Sequence, residues 1–209
     1  MSNTLLTQLF GQYPLHSLPA QTVLLREQES VTHYYWLQKG VVRMSVSAAN
    51  GKTVVLHLFF PGSLFPLLSL AGQDQQHYEL EALTPIEVRM IPFAVFQKQL
   101  KSHPELSYLL LTRLAAGLDR MTLRLQQNLS NTPQQQLASL LLYFVRHQEH
   151  STNSSPLITI THQDLADWLG LSRENVSLQL GKLVAQGILK TGHGWISVTN
   201  LVALQKLTT

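Results

Sequence analysis

Between Thr161 and Leu183 the chain carries two short helical patterns separated by a glycine turn, and this spacing constrains the fold more than any other segment. Thr161 with Asp164 three residues on has the form of a capping box, and Leu165, Ala166 and Leu169 then recur at helical spacing until Gly170 halts the helix. Ser172 can cap a second helix at once. Its Val176, Leu180 and Leu183 form an apolar stripe, Arg173, Glu174, Ser177 and Lys182 stay off it, and Gly187 is the natural stop. Two short helices joined in this way predict a helix-turn-helix, with an ordinary helical hairpin as the alternative that spacing alone leaves open.

The next residues favour the first reading. Ile188-Leu189-Lys190-Thr191, a Gly192-His193-Gly194 turn and Trp195-Ile196-Ser197-Val198 read as a β-hairpin directly after the second helix, which makes a wing. In such an arrangement the first helix braces the second, whose N-terminal side chains can enter a DNA major groove. Arginine can donate two bonds to guanine O6 and N7, and glutamate can accept from cytosine N4, so Arg173 and Glu174 have the chemistry to read base edges. Lys190 and His193 suit phosphate contacts, which position a protein without reading sequence. For all four the competing role is a solvated surface.

The run from Thr161 to Val198, and Leu171-Ser172-Arg173-Glu174-Asn175-Val176-Ser177 above all, resembles the DNA-binding domain of the Crp/Fnr family of bacterial transcription regulators. The resemblance implies base contacts from Arg173, Glu174 and Ser177, and puts Ser172, Asn175, Thr161 and Gln163 among the DNA-contacting residues. It also implies RNA polymerase as a partner. One position departs from the pattern: Leu178 stands where the family often has a base-reading arginine. A leucine there can meet a thymine methyl or simply pack.

The N-terminal half is β-rich. Thr22–Leu25, Tyr34–Leu37, Val41–Val46, Thr53–Phe60, Glu79–Leu83 and Ile86–Ile91 read as strands. Lys39-Gly40 and Ala49-Asn50-Gly51-Lys52 are hairpin signals, and Pro61-Gly62 and Thr84-Pro85 are further turns. Antiparallel strands at this spacing predict a closed or rolled β structure. Their order resembles the effector domain of the same family, a jelly-roll-like double-stranded β-helix related to cyclic-nucleotide-binding domains.

From Pro104 a long helical pattern repeats Leu111, Leu118 and Leu125 every seven residues, interleaved with Leu114, Met121 and Asn128. These are a and d positions of a coiled-coil seam, and packing on the chain's own β-roll is the alternative use of the helix. Asn128 at the end of the seam can help set register. The seam agrees with the family's central dimerisation helix, so a homodimer through Leu111, Leu114, Leu118, Met121 and Leu125 is expected. Thr132-Pro133 then opens an apolar helix through Leu137, Leu140, Leu141 and Phe144, which places a hinge near Asn131, and the polar Glu149–Ser155 segment reads as a surface loop. The expected architecture is α+β: an effector domain over 1–103, a central helix over 104–130 and a winged helix-turn-helix over 131–209.

In cyclic-nucleotide-binding members a Gly-Glu pair holds the ribose and an Arg-Ser or Arg-Thr pair the cyclic phosphate. Those places fall here on Pro66-Leu67 and Gln76-His77. Losing the charge-assisted donor argues against cyclic AMP or GMP as the effector. The segments 62–68 and 200–204 are similar to the carbon-monoxide-sensing haem branch, but its cysteine and histidine ligands would fall near Pro66 and Leu68, so none is inherited. His16, His33, His57 and His77 keep haem open as a cofactor, although isolated histidines are more often surface or core groups. With no cysteine in the chain, a thiolate-held iron–sulfur cluster is excluded. Phe59, Phe60, Leu64, Phe65, Leu67 and Leu68, facing Leu114 and Leu118 in the resemblance, would suit an apolar or aromatic effector, with Tyr78 and Glu79 as its polar contacts. The same residues can instead fill the β-roll core.

The 209 residues, 44% of them hydrophobic, suffice for one sizeable core and a smaller one. A formal net charge of +3 is a weak pointer to an anionic partner when only 13% of residues are charged. There is no apolar run of membrane-spanning length and no charged signal-peptide start, which reads as cytoplasmic. No P-loop, GxSxG, HExxH or cysteine nucleophile occurs, so no catalytic and no metal residue is assigned. The pairs Glu27 with Glu29 and Glu79 with Glu81 read as strand-edge residues. A ligand-binding adaptor that uses its winged helix for protein contact is the non-DNA alternative.

Overall fold

Strand β3 (His33–Lys39) shows how the N-terminal part is built, because alternate side chains of a strand leave on opposite faces and here both faces are buried. Tyr35 and Leu37 enter one core with Leu25, Met44, Phe65, Tyr78, Leu80 and Val88. Tyr34 and Trp36 enter another, made with helical residues Leu6, Phe10, Phe96, Leu106, Leu109 and Leu110. The run therefore reads as almost continuously apolar.

The computed structural model describes residues 2–48, 51, 53–72, 75–147 and 157–208, with 2, 3, 71, 127–129 and 157 described by backbone alone. They fall into two compact units, Met1–Ser47 with Leu56–Leu123, and Ala48–Val55 with Arg124–Thr209. Among the described residues no helix is long and apolar enough to cross a membrane.

Helix α1 (Ser2–Phe10) is followed by strands β1 (Leu15–Leu18), β2 (Val23–Leu25), β3, β4 (Val42–Ser47), β5 (Thr53–Phe59), β6 (Leu64–Phe65), β7 (Glu79–Ala82) and β8 (Ile86–Pro92), with a 3₁₀ turn over Leu67–Ala71. They form two four-stranded sheets, β1-β8-β3-β6 and β2-β7-β4-β5, the architecture of a jelly-roll-like β-roll. Helices α2 (Phe93–Ser102) and α3 (Pro104–Ser130) follow, and α1 and α2 supply residues to the second core. Neither α1, β1 nor α2 was among the elements expected from periodicity.

The structure corrects one turn. Lys39-Gly40 does not close a hairpin, because β3 pairs with β8 and β6 while β4 pairs with β7, so the turn carries the chain from one sheet to the other. Gly40 has φ of +84°, and a Cβ there would lie 2.3 Å from the Pro85 carbonyl oxygen. The equivalent crossing at Thr84-Pro85 packs beside it: Val41 N donates to Thr84 Oγ1 at 3.0 Å and Leu83 N to Val41 O at 2.9 Å. The Ala49–Lys52 turn, Gly51 apart, the Asn128 side chain and the Glu149–Ser155 loop lie outside the described residues.

In the second unit, α4 (Pro133–His147) starts behind a Thr132 cap, with Thr132 N donating to Gln135 Oε1 at 2.9 Å, and buries Leu137, Leu140, Leu141 and Phe144. Then come β9 (Leu157–Thr159), α5 (His162–Leu169), α6 (Arg173–Ala185), β10 (Leu189–Gly192), β11 (Trp195–Val198) and α7 (Leu201–Lys206). Strands β10 and β11 form the expected wing, and β9 adds an unanticipated third strand beside β11. Val176, Leu180, Leu183, Leu189, Ile196 and Leu204 are all buried here.

Candidate nucleic-acid interface

The capping box at the start of α5 is present in full: Asp164 N donates to Thr161 Oγ1 at 3.1 Å and Thr161 N to Asp164 Oδ2 at 3.2 Å. Gly170 ends α5 with φ of +67°, a left-handed turn that favours glycine, and Ser172 opens α6 by accepting from Asn175 N at 3.2 Å. These contacts set the two helices a short turn apart. On α6, Val176, Gln179, Leu180 and Leu183 make the buried stripe, and Glu174, Ser177, Leu178 and Gly181 repeat the same spacing on the outer side.

Arg173 and Glu174 are exposed at the leading end of α6. The Glu174 carboxyl is held below the usual carboxylate range by the backbone amide at the helix start, then by the Ser172 hydroxyl and the neighbouring Arg173 charge. It therefore presents an anionic acceptor. On the wing, Lys190 and His193 are exposed, and Arg173 and Lys190 make no salt bridge among the described residues.

Other expected contacts are engaged within the unit. Ser177 Oγ bonds His162 Nδ1 at 2.9 Å, Asn175 Oδ1 accepts from Gln179 Nε2 at 3.0 Å, and Gln163 Nε2 donates to Asp167 Oδ1 at 2.7 Å. Sequence reasoning misses His162. It ties the first turn of α5 to the second turn of α6, and only the helix-turn-helix geometry brings these two residues together. Sequence reasoning also misses the burial of Gln179, for which the signal is its place three residues after Val176, on the same helix face. A further support is Arg124, whose guanidinium lies 3.9 Å over the Trp168 ring and donates to the Trp168 carbonyl at 2.7 Å, while Tyr143 stacks on the same indole.

The residues expected at an effector site do not converge. Phe65 and Tyr78 share the β-roll core, where Phe65 stacks with Tyr35 and packs against Phe59. Leu67 packs on the other core, and Glu79 alternates with core-facing Leu80 and so leaves its strand on the opposite face. Glu81, on the same face as Glu79, is paired with Arg43 at 2.5 Å, which accounts for that carboxylate without chemistry. Leu114 and Leu118 are exposed, in one row with Leu111, Met121 and Leu125. The Tyr78 hydroxyl is buried without a hydrogen-bond partner among the described residues, and burial pushes its phenol well above the ordinary tyrosine range.

A β-roll followed by a long helix and a winged helix-turn-helix defines a DNA-binding regulator with a sensory domain. Family comparisons agree with this in both halves: residues 15–103 match the cyclic nucleotide-binding domain and 135–207 the Crp-like helix-turn-helix domain. The global nitrogen regulator of Synechococcus elongatus is 28% identical over an alignment of 217 positions, gaps included, covering 98% of this chain and 96% of that protein. The cAMP-activated global transcriptional regulator CRP of Pasteurella multocida is 26% identical over 186, covering 86% and 87%. A crystal structure of a CRP/FNR-family transcriptional regulator from Thermus thermophilus matches with a TM-score of 0.78 at 26% identity, covering 93% of this chain and 98% of that one. The chain belongs to the Crp/Fnr family of transcription regulators.

Proposed function

We propose that the protein is a homodimer that reads an inverted repeat in duplex DNA, with Arg173 and Glu174 on base edges, Ser177 beside them, and Lys190 and His193 of the wing on phosphate. The observation that carries this reading is the exposed Arg173–Glu174 pair at the capped start of α6, with Glu174 held anionic. Half-sites then lie about one helical turn, roughly 34–36 Å, apart. In this scheme 1–103 senses, 104–130 dimerises through its exposed apolar row and 131–209 binds DNA. The protein works in the cytoplasm, alongside RNA polymerase, and catalyses no reaction.

We infer that the effector is a small molecule or gas other than a cyclic nucleotide. Support comes from Gln76 and His77, which stand where a cyclic phosphate would need an arginine. Calorimetric titration with cyclic AMP and cyclic GMP should show no binding, and saturable micromolar binding would overturn this assignment. A Soret band in the purified protein would replace it with haem.

The test of DNA reading is binding-site selection from random duplexes, run with the parent protein and with Arg173→Ala and Glu174→Ala. The parent should select an inverted repeat, and each variant should lose about 1–3 kcal/mol of discrimination at one base pair. Recovery of one unchanged consensus by all three proteins refutes the assignment. Salt-insensitive or sequence-blind binding would favour the adaptor alternative.

A further inference from the structure

Leu178 is an anomaly on α6. Every other leucine of this helix is buried, yet Leu178 is 59% exposed. More than half of it faces solvent, so packing, one of the two roles that its sequence position allowed, does not account for it. It lies on the outer stripe with Glu174 one turn before it and Ser177 beside it, within the second turn of the helix. On its C-terminal side stands Gly181, and even a Cβ at that position would meet nothing within 4 Å. Nothing on that flank covers the leucine.

The major groove presents donors and acceptors from every base pair, but only one apolar group, the C5 methyl of thymine. We propose that Leu178 reads a thymine methyl, so that each half-site contains one thymine recognised through its methyl group and not through its hydrogen-bonding edge. The inference rests on the assignment of α6 as the reading helix. It makes two further chemical statements: an arginine-type guanine contact is absent at this position, and 5-methylcytosine, which carries the same methyl in the same groove, is accepted there better than cytosine.

The experiment begins with the consensus selected by the parent protein, in which each thymine of both half-sites is replaced in turn by deoxyuridine, a change that removes only the C5 methyl. Affinities are measured by fluorescence anisotropy for the parent, for Leu178→Ala and for Leu178→Gln. At one thymine per half-site the parent should lose about fourfold, the equivalent of roughly 0.8 kcal/mol for one buried methyl-sized group, and about sixteenfold when both half-sites are changed. Both variants should be nearly indifferent to that substitution while keeping the other base preferences. At the same position 5-methylcytosine should bind the parent more tightly than cytosine, again only while Leu178 is present. Because Leu178 is exposed, the variants should keep the parent's circular dichroism and melting temperature. A selected consensus with a flat methyl scan overturns this inference alone, as does a methyl effect that persists in Leu178→Ala. Failure to select any consensus overturns the assignment of α6 together with it.

Discussion

Replacing Leu118 by aspartate should dissociate the dimer. In the single chain Leu111, Leu114, Leu118, Met121 and Leu125 are between 37% and 67% exposed, with Leu118 the most exposed of the row. Burying a whole leucine side chain stabilises by roughly 1.5–3 kcal/mol, so covering the two-thirds of Leu118 that faces solvent is worth about 1–2 kcal/mol in each protomer. Two copies are lost in the variant, about 2–4 kcal/mol in all, and two carboxylates then face each other across an apolar seam. The dissociation constant should rise about a hundredfold or more. Leu118→Ala removes less apolar area and no charge is added, so its effect should be smaller. Sedimentation velocity over a dilution series reads the constant directly. Unchanged melting of the N-terminal unit's secondary structure would show that the variant folds, since Leu118 lies in neither buried core. If Leu118→Asp stayed as dimeric as the parent at nanomolar concentration, the row on α3 would not be the interface.

Lys190→Gln should weaken all duplexes alike and lower the slope of log affinity against log salt by about 0.9 per half-site, read from anisotropy between low and physiological salt. Glu174 has its pKa lowered in the folded chain, so the carboxylate persists as pH falls through the ordinary range; its base-pair discrimination should be constant from about pH 7.5 to 5.5 and fade only below that range. Tyr78→Phe should leave thermal stability unchanged or raise it, because it removes a buried hydroxyl that lacks a partner among the described residues, whereas Tyr34→Phe, which loses a 2.8 Å bond to Ser69, should cost about 1 kcal/mol. Burial raises the pKa of Tyr34, Tyr35 and Tyr78 above their unfolded value, so their contribution is complete below about pH 10 and lost as the pH rises through the tyrosine range. Alkaline melting curves at fixed protein concentration should therefore be less steep for Tyr78→Phe.

The helix-turn-helix and its wing were legible because their signals are local. A cap, a left-handed glycine and a tight hairpin turn each depend on atoms three or four positions apart, so Thr161 with Asp164, Gly170, Ser172 and the Gly192-His193-Gly194 turn, in which the structure pairs Gly192 and leaves His193-Gly194 as the loop, announce their geometry in the chain itself. The apolar row on α3 has the same origin, a seven-residue period that any single helix displays. Contacts between distant residues had no such signal. Lys39-Gly40 has the composition of a hairpin, and only the pairing of β3 with the distant β8 makes it a crossing between sheets. The fate of individual apolar side chains was decided in the same way: Leu64 went into the core while Leu68, from the same expected apolar wall, stayed at the surface, and nothing in the two leucine side chains distinguishes them. Burial depends on what the rest of the fold lays against a residue. The bond from His162 to Ser177, too, exists only because the turn at Gly170 folds one helix across the other.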